Sequence, residues 1–362
     1  MKTTKFLSLL LIAAASTGFY SCSDDNEEVG KNPEFQETVS GIYVVNQGNF
    51  YSGLPGSLTS YDFSTKKATQ EAFKAVNSVG LGDTPMSALI HGSKMYIAVY
   101  ESNLIWVVNP NTLKVEKSIK PDAPASSPRY LAAKDGYVYA SMYTGQVCRI
   151  DTVSLAIDKT INVGPNPEQM AILGNNLYVA NSDGMNWQAN YANGSVSIVD
   201  LSSLSERKIK VGVNPCNMAT NGTDVFVLCM GDYAAVPSTI KRISGDSAVD
   251  IAPGSFFAVS GNEIYAIDAP YGKSVSYKVY STAGAELRNM VADPVDMPAS
   301  IAVDPVSGDI VILSYKLDAD GTTLYEQPCY ARIYDKAGNT ISDFNTGVGS
   351  FGIAFNHSFV SK

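Results

Sequence analysis

Asn175-Asn176-Leu177-Tyr178-Val179-Ala180-Asn181 sets the pattern for the whole chain. A short turn leads into a strand that alternates Leu and Val with Tyr and Ala and ends on Asn. The unit recurs. Gly41-Ile42-Tyr43-Val44-Val45-Asn46 opens the globular part, followed by Lys94–Tyr100, Gly136–Met142, Asp224–Cys229, Asn262–Asp268 and Asp309–Ser314. That makes seven copies. The glycines before them (Gly92, Gly136, Gly174, Gly222, Gly261, Gly308) are spaced by 44, 38, 48, 39 and 47 residues. A period in the forties with strand-like content predicts propeller blades of four strands each.

One unit shows the plan. Met86–Ile90 reads as a first strand, His91-Gly92-Ser93 as a tight turn and Lys94–Tyr100 as the second strand. Leu104–Val108 and Lys114–Ile119 follow as third and fourth. Proline cannot donate to a ladder, so Pro85 and Pro110 mark strand limits. The lead-in to the first strand repeats as Pro85-Met86, Pro128-Arg129, Pro167-Glu168, Pro215-Cys216 and Pro298-Ala299, with Gly254-Ser255 as a variant. Third strands end on Asp62, Asp151, Asp200 and Asp335, which read as turn formers rather than catalysts.

The ends of the chain predict how the ring closes. The first Tyr strand has no first strand before it, and Gly349–Phe355 matches a first strand with nothing after it. The fold class expected is therefore all-β: a seven-bladed β-propeller of four-stranded antiparallel blades, closed by the C-terminal strand joining blade one. The domains expected are a lipoprotein signal peptide (1–21), a lipidated Cys22 with an acidic tether (22–40), one propeller (41–357) and a short tail (358–362).

Composition narrows the function. Only 17% of residues are charged and Tyr numbers 21, which suits an ordered, strand-rich protein. The formal net charge of −9 becomes more negative once Lys2 and Lys5 leave with the signal. No basic run exists to follow a nucleic acid. Lys2, Lys5 and the apolar run Phe6–Ala15 form an export signal that ends at Phe19-Tyr20-Ser21-Cys22. The small residue before Cys22 resembles a bacterial lipoprotein cleavage box, and acyl chains on Cys22 would anchor the protein.

Tyr178-Val179-Ala180-Asn181 and Tyr43-Val44-Val45-Asn46 resemble the YVTN repeat of bacterial seven-bladed propellers. With the lipoprotein start and the acidic run Ser23–Glu28, the chain is similar to YncE-like surface lipoproteins of Bacteroidetes, among them the BtuG-type cobalamin-capture proteins. The resemblance implies a monomeric, non-enzymatic propeller on the outer face of the outer membrane. It would bind cobalamin or a related corrinoid as transported ligand, without a catalytic cofactor, and pass it to a TonB-dependent transporter.

The connections from second to third strand are long and aromatic, whereas the opposite turns are short, so one face is the expected binding surface. The candidate ligand-binding residues are Asn46, Phe50, Tyr51, Met86, Tyr100, Arg129, Tyr143, Glu168, Asn181, Trp187, Tyr191, Tyr233, Asp268, Tyr271 and Tyr315. Tyr and Trp bring contact area with a polar tip. Arg129 and Glu168 either pair across the channel mouth or face ligand amides. Two further classes are a propeller that binds a protein or glycan and a metal-dependent hydrolase or lyase. Only His91 and His357 exist, and His-based catalysis or metal binding needs convergent partners. Cys216 and Cys229 flank the Asn221–Asp224 turn symmetrically, as a disulfide or as two buried thiols.

Overall fold

The computed structural model describes residues 35–361. The expected signal peptide and Cys22 lie outside the described residues. The described chain forms seven four-stranded antiparallel sheets, six of them with neighbours in sequence order and the seventh joining the last strand to the first three. The innermost strands are Ser350–Ser361 in blade one, Pro85–His91 in blade two, Pro128–Lys134 in blade three and Pro167–Leu173 in blade four. Pro215–Thr220, Phe256–Ser260 and Met297–Val303 serve blades five, six and seven. A helix, Ala72–Asn77, was not expected; it buries Phe73 against Trp106. No helix among the described residues is long and apolar enough to cross a membrane.

The ring closes as the chain ends predict. Ser350–Ser361 pairs antiparallel with Phe35–Asn46 through eleven matched positions. Both strands run further than the sequence suggests. The first begins at Phe35, inside the stretch read as tether, and the last ends at Ser361, past the boundary drawn at residue 357. Residues 35–39 alternate poorly, yet their backbone finds partners in residues 357–361. His357 therefore lies within the closing strand rather than after it.

The core is seven wedges, one at each contact between neighbouring blades. Tyr43 and Val45 point into the wedge shared with Met95, Ile97 and Val99 of blade two. Ile42 and Val44, the alternate residues, point into the wedge shared with Val311, Leu313 and Ile333 of blade seven. Alternate strand residues face opposite sides, so a second strand between two neighbours is apolar on both, which is why the Tyr-Val repeat reads as nearly continuous hydrophobe.

The turn-forming role of the aspartates is realised. Asp62 Oδ1 accepts from Ser64 Oγ (2.7 Å) and from the Thr65 amide (2.7 Å). Asp151, Asp200 and Asp335 hold their own turns in the same way. The Ser64 hydroxyl and then the Thr65 amide pull the exposed Asp62 carboxyl down to about 2. What such a carboxylate adds to stability is present above the ordinary carboxylate range and is lost as pH falls through the folded value. A carbon-detected titration should give Asp62 a midpoint near 2; an unshifted midpoint would mean that the turn bonds are not made in solution.

Candidate functional site

Within each blade the innermost strand runs away from one face and the second returns to it. The second-to-third connections and the blade-to-blade connections therefore share that face. All six exposed aromatic residues among the described ones lie on it: Phe50, Tyr51, Trp187, Tyr233, Tyr271 and Tyr325.

The lead-in proline builds the channel mouth. The residue before it takes a left-handed backbone: Thr84 (φ 54°), Ser127 (61°), Asn166 (50°) and Asn214 (55°). Its carbonyl accepts the amide of the residue just after the second strand, namely Tyr100, Tyr143, Ser182 and Met230, at 2.9–3.0 Å. After the proline the pairing slips. The slip lies between Pro85 and Ser87, Pro128 and Leu131, Pro167 and Met170, Pro215 and Asn217, and Pro298 and Ser300. Blade one slips at Phe351. A bulge re-aims the side chain it carries. Met86, Arg129, Glu168, Cys216, Ala299 and Phe351 are thus equivalent positions at the mouth.

Four predicted residues come together here. Arg129 donates Nε to Glu168 Oε2 at 2.8 Å, and its Nη2 makes an ion-pair contact with the same oxygen at 2.8 Å. The Arg129 guanidinium lies 5.2 Å from the Tyr100 ring centre and 4.7 Å from that of Tyr143. The two rings meet edge to face at 5.6 Å. Ser182 Oγ sits 3.5 Å from Glu168 Oε1. Burial pushes the Glu168 carboxyl up, with Arg129 only partly offsetting it. Burial opposes the Arg129 charge as well, but Glu168 outweighs it and the guanidinium is held above its ordinary value. Burial raises the Tyr143 hydroxyl to about 12.

The cluster continues outward. Cys216 Sγ donates to Asn214 Oδ1 (3.1 Å), and Asn214 Nδ2 reaches the Tyr233 hydroxyl at 3.5 Å. Tyr233 meets Tyr191 with ring centres 6.4 Å apart. The Trp187 loop is tied down by Asp183, which accepts from Asn186 Nδ2 (2.9 Å) and the Asn193 amide (2.8 Å). This loop borders Tyr143: a methyl on Gly184 would come 2.8 Å from the Tyr143 oxygen. Across the ring, Phe50 and Tyr51 on the blade-one loop lie beside the blade-seven loop. Asn49 Nδ2 donates to the Tyr325 carbonyl (3.5 Å), Ser52 bonds Glu326, and Tyr325 packs on Tyr315 at 5.1 Å. Tyr271 and Asp268 stand apart on blade six; burial raises the Asp268 carboxyl, against the pull of Lys273.

Three predicted residues are placed otherwise. Asn46 and Asn181 are fully buried. Asn46 donates to Ser57 Oγ and Thr59 Oγ1 (both 3.1 Å) and accepts from Ser350 Oγ (2.7 Å). Asn181 accepts the Gly164 amide (3.1 Å) and donates to Ser197 Oγ (2.9 Å). Both fasten a second strand to the connection that enters its blade. That connection must carry glycine, since a methyl on Gly164 or Gly347 would lie 2.5 Å from Asn181 Cγ or 2.7 Å from Asn46 Cγ. Met86 is buried under Gln47, whose Nε2 lies 3.1 Å from its sulfur. Sequence reasoning missed Tyr130, Ser182, Asn214 and Phe351. Tyr130 and Phe351, on blades three and one, face each other at 6.4 Å. Ser182 could have been found by aligning the repeats, because it follows its second strand as Tyr100 and Tyr143 follow theirs.

Cys216 and Cys229 are free thiols. The count that opposes them is off by one residue, because Cys216 is bulged and Pro215 stands opposite Cys229. Among the described residues no group of three or more His, Cys, Asp or Glu could hold a metal ion. A recess of about 490 Å³ lies on the flank between blades two and three, lined by Lys117, Lys120, Asp122 and Lys159, and contains none of the predicted residues.

This geometry is that of a seven-bladed β-propeller with an aromatic loop face. Residues 40–187 match a family described as a domain of unknown function (DUF5074). No curated protein matches the chain. The computationally designed Ika8 protein is 11% identical, with a TM-score of 0.51 over 75% of this chain and 90% of its own. The structure of U3-55K gives 10% identity and a TM-score of 0.53 over 74% of this chain and 83% of its own. At such identities the likeness is one of fold alone.

Proposed function

We propose that this protein is a non-catalytic capture module anchored at the bacterial cell surface, whose loop face binds cobalamin or a related corrinoid and passes it to a TonB-dependent outer-membrane transporter. The observation that carries this reading is the segregation of all six exposed aromatics among the described residues to one face, beside the Tyr100–Arg129–Tyr143–Glu168 cluster. A corrin offers a broad apolar plane with amide arms, and this face offers rings with a polar centre. The choice of ligand and the anchor at Cys22 come from the sequence resemblance.

Calorimetric titration of residues 23–362 with cyanocobalamin tests it. Saturable one-to-one binding should be tighter than about 1 μM, or roughly −8.2 kcal/mol. Trp187→Ala and Tyr233→Ala should each weaken it by about 1–3 kcal/mol. Absence of heat and of any visible-spectrum change across several temperatures would end the corrinoid reading. The second reading is docking of a glycan or protein. It is favoured by the complete exposure of Tyr51 (99%) and Tyr271 (104%), which stand out from the surface as stacking platforms do. A glycan array is its first test.

A further inference from the structure

We infer that the Arg129–Glu168 pair is a recognition element for a neutral carboxamide rather than a tie that holds the ring together. The inference rests on the loop face being the binding face.

The repeat itself argues against a structural need. The bulged position at the channel mouth recurs in six blades, where it carries Met86, Arg129, Glu168, Cys216, Ala299 and Phe351. A thioether, a thiol, a methyl and an aromatic ring all satisfy the fold there. Blades three and four alone place charges at it. A buried ion pair adds little to stability, because desolvation offsets most of its attraction. Two charges at positions where the fold accepts apolar groups point to a use other than holding the ring.

The leftover bonding capacity indicates the use. Arg129 directs Nε and Nη2 at one oxygen of Glu168. Among the described residues no hydrogen-bond partner meets its Nη1, and that nitrogen is open to solvent. The other Glu168 oxygen has only the long contact from Ser182. The site therefore keeps free N–H donors on the guanidinium and one barely used acceptor, and its two charges cancel. Tyr100 and Tyr143, set edge to face, both lie against the guanidinium.

A primary carboxamide fits this set, since its oxygen accepts from Arg129 and its N–H donates to Glu168. A carboxylate has no proton for Glu168 and meets that charge with Arg129 already compensated. An ammonium has no acceptor for Arg129. Leaving a desolvated group unpaired is what rejects both.

Nicotinamide and nicotinate, flat rings that differ only in this group, are the probes. In nitrogen-15-labelled protein the Arg129 Nε–Hε signal, assigned by its loss in Arg129→Lys, should shift saturably with nicotinamide. Nicotinate should bind at least about tenfold more weakly. In Glu168→Gln the order should reverse, because the guanidinium then lacks its counter-charge. The double variant Arg129→Met with Glu168→Met should still melt cooperatively and should lose the discrimination. Equal binding of the two probes, an unchanged order in Glu168→Gln, no Arg129 shift with either, or collapse of the double variant would each overturn the inference. None of these readouts uses a corrinoid. Failure of cyanocobalamin to bind therefore counts against the proposed function alone, and corrinoid affinity that is unaltered in the double variant counts against this inference alone.

Discussion

Removal of residues 349–362 should abolish the cooperative melting transition of the whole ring, not only loosen blade one. The lost strand supplies eleven paired positions to Phe35–Asn46. It also carries Ile353, Ala354 and Phe355, which pack in the wedges toward blades two and seven. A large apolar side chain contributes about 1.5–3 kcal/mol when fully buried, and domains of this kind hold only about 5–15 kcal/mol in total. Without the strand, Phe35–Asn46 becomes an open edge facing the channel, and two of the seven wedges lose a wall. Differential scanning calorimetry of the truncated chain is the measurement. A wild-type melting curve would show that the ring does not depend on this closure.

Glu168→Met alone should cost roughly 3–5 kcal/mol, the usual price of leaving one buried charge without its partner. Adding Arg129→Met should return stability to within about 1 kcal/mol of wild type, because a matched apolar pair replaces a matched ionic one. Denaturant midpoints of the two singles and the double form the cycle. Additive losses, with the double variant the least stable of the set, would mean that each side chain serves the fold separately.

Much of this architecture is legible in the sequence, for physical reasons that can be named. Glycine and proline mark turns and strand limits, so Gly92, Pro85 and their counterparts display the period directly. The second strand is buried on both sides, so Tyr43-Val44-Val45 stands out. The unequal ends reveal the closure. What stays hidden is set by bulges and burial. One extra residue at Cys216 undoes the symmetric opposition to Cys229, and at Arg129-Tyr130 two residues stand opposite the single Ser141, with Tyr130 turned toward Phe351. Asn46 and Asn181 look like polar strand ends open to solvent, yet the glycines opposite them let the incoming connection close over both. The meeting of Asn49 with Tyr325 joins residues 276 positions apart, and no local pattern announces it.

The direction of the first strand has a consequence for how the disc would stand on a membrane. Phe35 lies at the end of the strand away from the aromatic loops, and Asn46 at the end beside them. A leash from an acylated Cys22 would therefore join the disc at its underside, with a reach of no more than about 3.3–3.6 Å per residue. If Cys22 is the anchor proposed above, the protein would stand as an upturned dish, its loop face looking outward to the medium. Delivery to a transporter in the same membrane would then require the dish to tip over, or the transporter's outer loops to rise around its rim.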